Sequence, residues 1–421
     1  MRGWKRTAAA WRHKGGPAWR FWVPRRYRSV LRARAEAVKD LGQAAVLSLR
    51  RANRGGLVIL DDGFPWLGTG FRIAEFNHYL RVFPDCQVYC DRSRFEEELR
   101  SYRQRHPELA ERVHRHNRFM RLKFSVAYVV FLHNAYRFLP TLERCRLPFV
   151  LELYPGGHFG IDCPASDTML SRVCSSAYLQ HVIATNPVIA SYIVERRFCD
   201  PDRVQMIREG VLDLPSIGEP KRRFPDHKGT FDVCFAAYKQ MPFGLDKGYD
   251  IFVEVAKRLA RVSGDFTFHV VGTFGPEDID VSELGSRIHF YGPQLDDFWA
   301  HYYRDKDMIL SPNRPFVLAP GAFDGIPTGS VLLAGACGVT MFCSDQLGLT
   351  RGLFQDGRDI VLIDTDVERI VERVIDYYES PAKLYETGER GASRVREICS
   401  YECGMRPRID LLRAVANQSG T

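Results

Sequence analysis

The run Phe323-Asp324-Gly325-Ile326-Pro327-Thr328-Gly329-Ser330 opens onto a helix of small residues, Val331 to Cys337, that stops at Gly338. Met308-Ile309-Leu310 before it and Val339 to Cys343 after it read as strands. A Gly/Pro/Thr/Ser loop that opens a helix is a phosphate cradle, because the first-turn N–H groups point outward and the helix dipole adds partial positive charge. Small side chains let a diphosphate approach the backbone, and open α/β sheets bind nucleotides at such strand-to-helix turns. Thr328, Gly329 and Ser330, with Gly325 and Pro327, are the expected donor-binding loop. Asp324 stands where it could accept from a sugar hydroxyl, or could simply bond its own turn. Lys239 follows the strand Phe231 to Ala237, and Lys247 opens a helix in Asp246-Lys247-Gly248-Tyr249-Asp250. A lysine there opposes the dipole unless an anion is present, so Lys247 reads as a phosphate ligand and Lys239 as its companion.

The elements that hold these groups alternate between strand and helix. Leu57-Val58-Ile59-Leu60 is a short buried strand, Asp61 to Gly70 a turn, and Phe71 to Val82 a helix, the opening of a Rossmann-like unit. Gly68 and Gly70 in that turn would let the backbone approach a diphosphate from the opposite side. Val126 to Leu132 is a strand with His133-Asn134 at its C-terminal end, where such sheets place functional groups. His158, in the glycine-rich stretch after Phe149 to Leu153, is a rival for the same catalytic position. Glu152 reads either as a buried paired carboxylate or, with Tyr154, as part of the acceptor side. The adjacent Asp61 and Asp62 lack the spacing of a metal site, and no other metal motif stands out, so no metal is expected.

The order of strand, Lys239, "KG", "FTFHVVG", "RIHFYG" and the Phe323–Ser330 loop resembles the nucleotide-sugar-binding half of the group 1 (family 4) retaining glycosyltransferases, of the bacterial polysaccharide type. The likeness is good over about residues 228–400 and looser over 56–227. It implies the GT-B fold, two Rossmann-like α/β domains facing across a cleft, with the diphosphate bound by Lys239 and Lys247 and the transferring sugar near His133. It also implies a donor nucleotide-sugar as substrate and no cofactor. The chain departs from the pattern at Lys239, where Arg is usual, and at Leu333, where the acidic residue that binds the donor ribose is usual. The expected organisation is a basic extension over 1–54, a first Rossmann-like acceptor domain over 55–214 and a linker over 215–230. A nucleotide-sugar domain over 231–385 and a helical tail over 386–421 that crosses back to the first domain complete it.

The length of 421 residues exceeds one ordinary core. The composition, 45% hydrophobic and 26% charged, is that of a globular protein, and no apolar run reaches the length of a spanning helix. The eleven cysteines are odd in number and without a His cluster, the pattern of reduced thiols in a cytosolic protein. The net charge of +8 is unevenly distributed: residues 1–56 hold 15 Lys and Arg against 2 Asp and Glu, and the remainder 44 against 49. Trp4, Trp11, Trp19 and Trp22 fall among those cations, and Ser29 onward reads as a helix with an apolar and an Arg face. Interleaved Trp and Arg suit an anionic membrane surface, so residues 1–50 are expected to attach peripherally to the inner membrane face of a cytoplasmic protein. No nucleic-acid-binding module accompanies them, and nucleic acid is not an expected partner. Three functions fit: a glycosyltransferase acting on a polysaccharide or lipid-linked acceptor, a catalytically degenerate relative serving as a partner protein, and another GT-B enzyme such as a sugar-nucleotide epimerase.

Overall fold

In a first sheet, β1 (Leu57–Asp61), β4 (Val126–Val130) and β5 (Phe149–Leu153) are buried at every position. Apart from Asp61 and Glu152 these strands are apolar throughout, as strands need to be when helices cover both faces. They are joined by β2 (Gln87–Cys90), β3 (Val113–Arg115), β6 (Leu179–Ala184) and β7 (Val204–Met206) in the parallel order β3-β2-β1-β4-β5-β6-β7. A second sheet contains β8 (Phe231–Ala237), β9 (Phe266–Gly272), β10 (Ile288–Phe290), β11 (Met308–Ser311), β12 (Thr340–Ser344) and β13 (Val361–Ile363), in the parallel order β10-β9-β8-β11-β12-β13. Both orders reverse beside their first strand, between β1 and β4 and between β8 and β11. The reversal splays the connecting helices apart and leaves a crevice at the strands' C-terminal ends. The expected two Rossmann-like α/β domains are therefore present. The structure, a computed model, describes residues 55–208, 211–213 and 220–418. The basic extension and most of the first half of the expected linker lie outside the described residues. Apart from Asn117–Arg121, the described residues form one unit.

The helices that position the site are α1 (Phe71–Val82), α2 (Leu132–Cys145), α3 (Tyr249–Val262), α4 (Asp296–Arg304) and α5 (Gly329–Ala336). At the C-terminus, α6 (Pro381–Ile398) stays on the second domain, where it packs on α5 and β12. Only α7 (Met405–Gln418) joins the first domain, with Met405, Ile409, Leu412 and Val415 in the same core cluster as Leu57, Tyr128 and Val150. The crossing therefore falls after Ile398 rather than at 386. None of the eleven cysteines forms a disulfide, and no helix among the described residues is long and apolar enough to cross a membrane.

The α7 contact has a polar centre. Arg408 is fully buried, and its Nε donates to Glu152 Oε1 at 2.8 Å, its Nη1 to Gly404 O at 2.8 Å and its Nη2 to Arg208 O at 3.0 Å. Glu152 is equally buried and also accepts from Tyr128, which bridges to Glu75. Burial, and then the charge of Glu152, raise the Glu75 carboxyl well above its ordinary pKa. Glu75 thus favours its protonated form, and Arg408 pairs with Glu152. This corrects the acceptor-side reading of Glu152: its carboxylate faces the core. Tyr154 is likewise buried, packed on Phe71 with ring centroids 4.5 Å apart. Arg408→Met is expected to destabilise the protein by about 3–5 kcal/mol in denaturant unfolding, because it strands a buried carboxylate. Combining it with Glu152→Gln should recover a large part of that loss.

Candidate active site

The cleft between the two sheets holds a cavity of about 280 Å³. On one side it is lined by Leu67, Gly68, Thr69, Gly70 and Phe71, and on the other by Gly329, Ser330 and Leu333, with Leu212, Asp213, Gln294 and Trp299 between. Two predicted loops, far apart in sequence, thus meet across one space. Gly70 ends the β1–α1 turn at φ 56°, ψ −102°, a conformation that a Cβ would obstruct, and it starts α1 beside the cavity. Thr328 precedes α5 in extended conformation, and its carbonyl accepts from Val331 and Leu332. The N–H groups of Gly329 and Ser330 have no backbone acceptor. The Ser330 hydroxyl donates to Ala236 O at 2.7 Å and lies 3.2 Å from Thr328 Oγ1, which ties the start of α5 to the C-terminal end of β8. The positive ends of two helices therefore converge on one cavity, an arrangement that favours an anion.

The two lysines lie outside the cavity lining, and each already has an acid. Lys247, nearly buried, donates to both oxygens of Asp324 at 2.7 Å and lies 3.3 Å from Asp246. Asp324 accepts a further bond from Asn313 at 2.7 Å, and Asn313 in turn accepts from Ser311 at the end of β11 at 2.6 Å. The expected diphosphate ligand and the expected sugar acceptor are thus one ion pair. Both oxygens of buried Asp246 lack a hydrogen-bond donor, so Asp246 adds negative charge that holds the ammonium in place. Lys239 pairs with Asp278 at 2.6 and 2.8 Å. Gly325 and Pro327 stand between Asp324 and α5, with a cis bond between Ile326 and Pro327.

His133 lies in the first turn of α2 rather than on the strand. Its Nδ1 is 3.0 Å from Gly157 O and its Nε2 2.9 Å from Asp62 Oδ2. Both partners only accept, so both ring nitrogens carry protons. Burial opposes that charge, but the hydrogen bond and charge of Asp62, with the Gly157 carbonyl, outweigh it and raise the His133 pKa above its ordinary value. For Asp62 burial likewise favours the neutral form, yet His133, Arg72 and Asn134 hold the carboxyl well below the usual range. Asp62 and the Gly157 carbonyl thus favour the charged form of His133, in which neither ring nitrogen has a lone pair for proton abstraction. His158 is exposed, its ring 5.3 Å from that of His133, and it makes no hydrogen bond among the described residues, so its ring is open to a ligand.

Sequence reasoning missed Arg72, weighed Asp62 only as a metal ligand, and marked Asn134 only by its place beside His133. Arg72 Nη1 reaches Asp61 and Asp62 at 3.1 Å, and Asn134 donates to Asp61 at 3.2 Å and to Asp62 at 3.1 Å. The adjacent aspartates were the signal: Asp61 is fully buried and accepts from Gly63 and Phe64 N–H at 2.6 Å each, which shapes the turn, and the next carboxylate is left to face the histidine.

The two pKa directions set a pH dependence. The lowered Asp62 pKa contributes stability that is present above 3.8 and lost as pH falls through its folded value. The raised His133 pKa contributes stability that is present below 6.5 and lost as pH rises through its folded value. Asp62→Asn is therefore expected to cost most between pH 3.8 and 6.5 and less at alkaline pH. NMR titration should place the His133 pKa above 6.5 in the native protein and lower in the variant, where only the Gly157 carbonyl still opposes burial and the charge of Arg72.

No curated protein matches the chain in sequence. Among solved structures, a glycosyltransferase from Rickettsia africae ESF-5 superposes with a TM-score of 0.61 at 12% identity, covering 86% of this chain and 99% of the other. Anabaena HepE in complex with UDP and glucose gives 0.58 at 14% identity, covering 81% and 94%. Sucrose-phosphate synthase from Thermosynechococcus elongatus gives 0.55 at 12% identity, covering 87% and 98%. The two parallel sheets and the cleft between them are thus the GT-B fold, and residues 236–380 match the family model of the Glycosyl transferases group 1.

Proposed function

We propose that the protein transfers a sugar from a nucleoside-diphosphate donor to a hydroxyl of a polysaccharide or lipid-linked acceptor, with retention of configuration and without a metal ion. The observation that carries this reading is the convergence of two helix N-termini, from different domains, on one cavity whose walls include Gly68, Gly70, Gly329 and Ser330. The match of residues 236–380 to a glycosyltransferase family model supports it, as does the capture of UDP and glucose by a protein of the same fold.

In this reaction the bond between sugar C1 and the phosphate oxygen breaks, and its electron pair leaves with the diphosphate. The acceptor oxygen bonds to C1 on the same face, and its proton passes to the departing phosphate oxygen. The free N–H groups at the start of α5 and the dipoles of α1 and α5 stabilise the charge that develops on the diphosphate. Lys247, aimed by Asp246 and Asp324, adds a cation, and Asp324 orients a sugar hydroxyl. His133 contributes fixed positive charge beside the cleft, and His158 contacts the sugar or acceptor. Residues 1–50 hold the enzyme on the anionic inner face of the membrane, where a lipid-linked acceptor would lie.

The ion pairs of Lys239 and Lys247 also suit a second reading, a glycosyltransferase-like partner protein without activity, since a phosphate would have to compete with Asp278 and Asp324. Turnover separates the two. Release of nucleoside diphosphate from a panel of nucleotide-sugars should occur for one donor class, persist in EDTA and fall about 100-fold in Lys247→Ala. No turnover and no nucleotide binding would favour the partner reading. Sedimentation with vesicles should retain the full chain on anionic but not neutral lipid, and removal of residues 1–54 should abolish retention.

A further inference from the structure

The inner wall of the cleft cavity shows which groups read the donor. Gly329 and Ser330 begin α5, and Leu333 follows one helical turn further in, about 6 Å along the axis from Gly329. Resting on the donor reading above, a diphosphate at the start of α5 puts the next covalent unit of the ligand, the pentose, at the depth of Leu333. That wall is apolar. The facing wall is Trp299, whose indole lies flat on Tyr303 with centroids 5.4 Å apart and planes 19° apart. The Tyr303 hydroxyl donates to Ser330 O at 3.1 Å, so Trp299 is held in register with the cradle.

A pentose hydroxyl between these walls needs acceptors, and two residues lining the cavity supply them. Gln294 donates its amide N–H to Tyr291 O at 2.6 Å, which leaves its carbonyl oxygen free to accept. Asp213 is the only ionisable residue among those lining the cavity, and its carboxylate accepts no hydrogen bond from the described residues. It belongs to the segment between β7 and β8 that joins the domains, beside Leu212, which lies over Gly329. We propose that Asp213 and Gln294 bind the pentose hydroxyls of the donor, with Leu333 and Trp299 as apolar walls, so that the interdomain segment itself discriminates ribose from deoxyribose.

The test is calorimetric binding of the four common ribonucleoside diphosphates and their 2′-deoxy counterparts to the full chain, with inorganic pyrophosphate as a probe of the cradle alone. The native protein should bind its preferred ribonucleotide at least about tenfold more tightly than the deoxy form. Asp213→Ala should bring that ratio below about threefold while leaving pyrophosphate affinity unchanged. Leu333→Glu in the Asp213→Ala background should restore discrimination by supplying a carboxylate from the opposite wall. A ratio unaltered in Asp213→Ala, with nucleotides still bound, overturns this assignment and leaves the donor reading standing. Failure of every nucleoside diphosphate to bind the native protein overturns both.

Discussion

One buried charge pair anchors α7 on the first domain. Arg408, in α7, is fully buried among apolar side chains, and the carboxylate it pairs with, Glu152, belongs to the central sheet of the other half of the molecule. A guanidinium is planar and offers five donors in a fixed fork. Here the fork is divided between one carboxylate oxygen and the carbonyls of Gly404 and Arg208, so it aligns α7, β5 and the segment after β7 together. Such a pair adds little net stability compared with an apolar replacement, but it tolerates few alternative placements. Its position suits the task of holding two domains at the separation their shared cavity requires.

Around the cavity the same economy recurs: charged groups are fixed by other charged groups before any ligand arrives. Asp62 is set by His133, Arg72 and Asn134, and Lys247 by Asp324 and Asp246. Fixed charges need not reorganise when charge develops in a reaction, which is the main electrostatic advantage of an enclosed site over water. Part of that fixing is strained backbone. Phe131 has φ 74°, costing on the order of 1–3 kcal/mol for a residue with a Cβ. That turn lets its N–H reach Glu152 O at 2.9 Å and sends the His133 N–H to Gly157 O at 3.0 Å. Gly157 is bound to this arrangement, because a Cβ there would lie 2.6 Å from the Phe131 Cβ. The corner that carries His133 and the buried charge pair are thus joined through a single strand, β5.

Much of this was legible in the residues alone. Continuous apolar runs such as Leu57–Leu60 and Val126–Val130 mark strands covered on both faces, and the small residues after Pro327 mark a helix whose start a phosphate can approach. Those signals are local: they rest on backbone sterics, side-chain size and the 2- or 3.6-residue period, which neighbouring residues suffice to express. The alternating strand and helix pattern carried the two-domain α/β architecture for the same reason. What stayed hidden were partnerships between residues far apart in the chain. Asp62 and His133 are 71 positions apart, Lys247 and Asp324 77, and Glu152 and Arg408 256. No periodicity records such distances, so the sequence marked each of these groups as chemically capable without saying what it would face.

Tertiary structure decided those roles. His133, a candidate acid–base residue by its place after a strand, is biased toward its charged form because folding set acceptors against both ring nitrogens. Glu152, open to a structural or an acceptor-side reading, became the anchor of α7 because its side chain points into the core and not the cleft. Leu333, a departure from a family pattern on the sequence alone, is placed by folding in the lining of one cavity with Asp213, Gln294 and Trp299. The sequence by itself determined the elements, their order and the inventory of reactive groups, since these follow from each residue's own chemistry and its near neighbours. The pairing of charges, and with it which groups remain available to a ligand, was settled only when long-range packing removed water from between them.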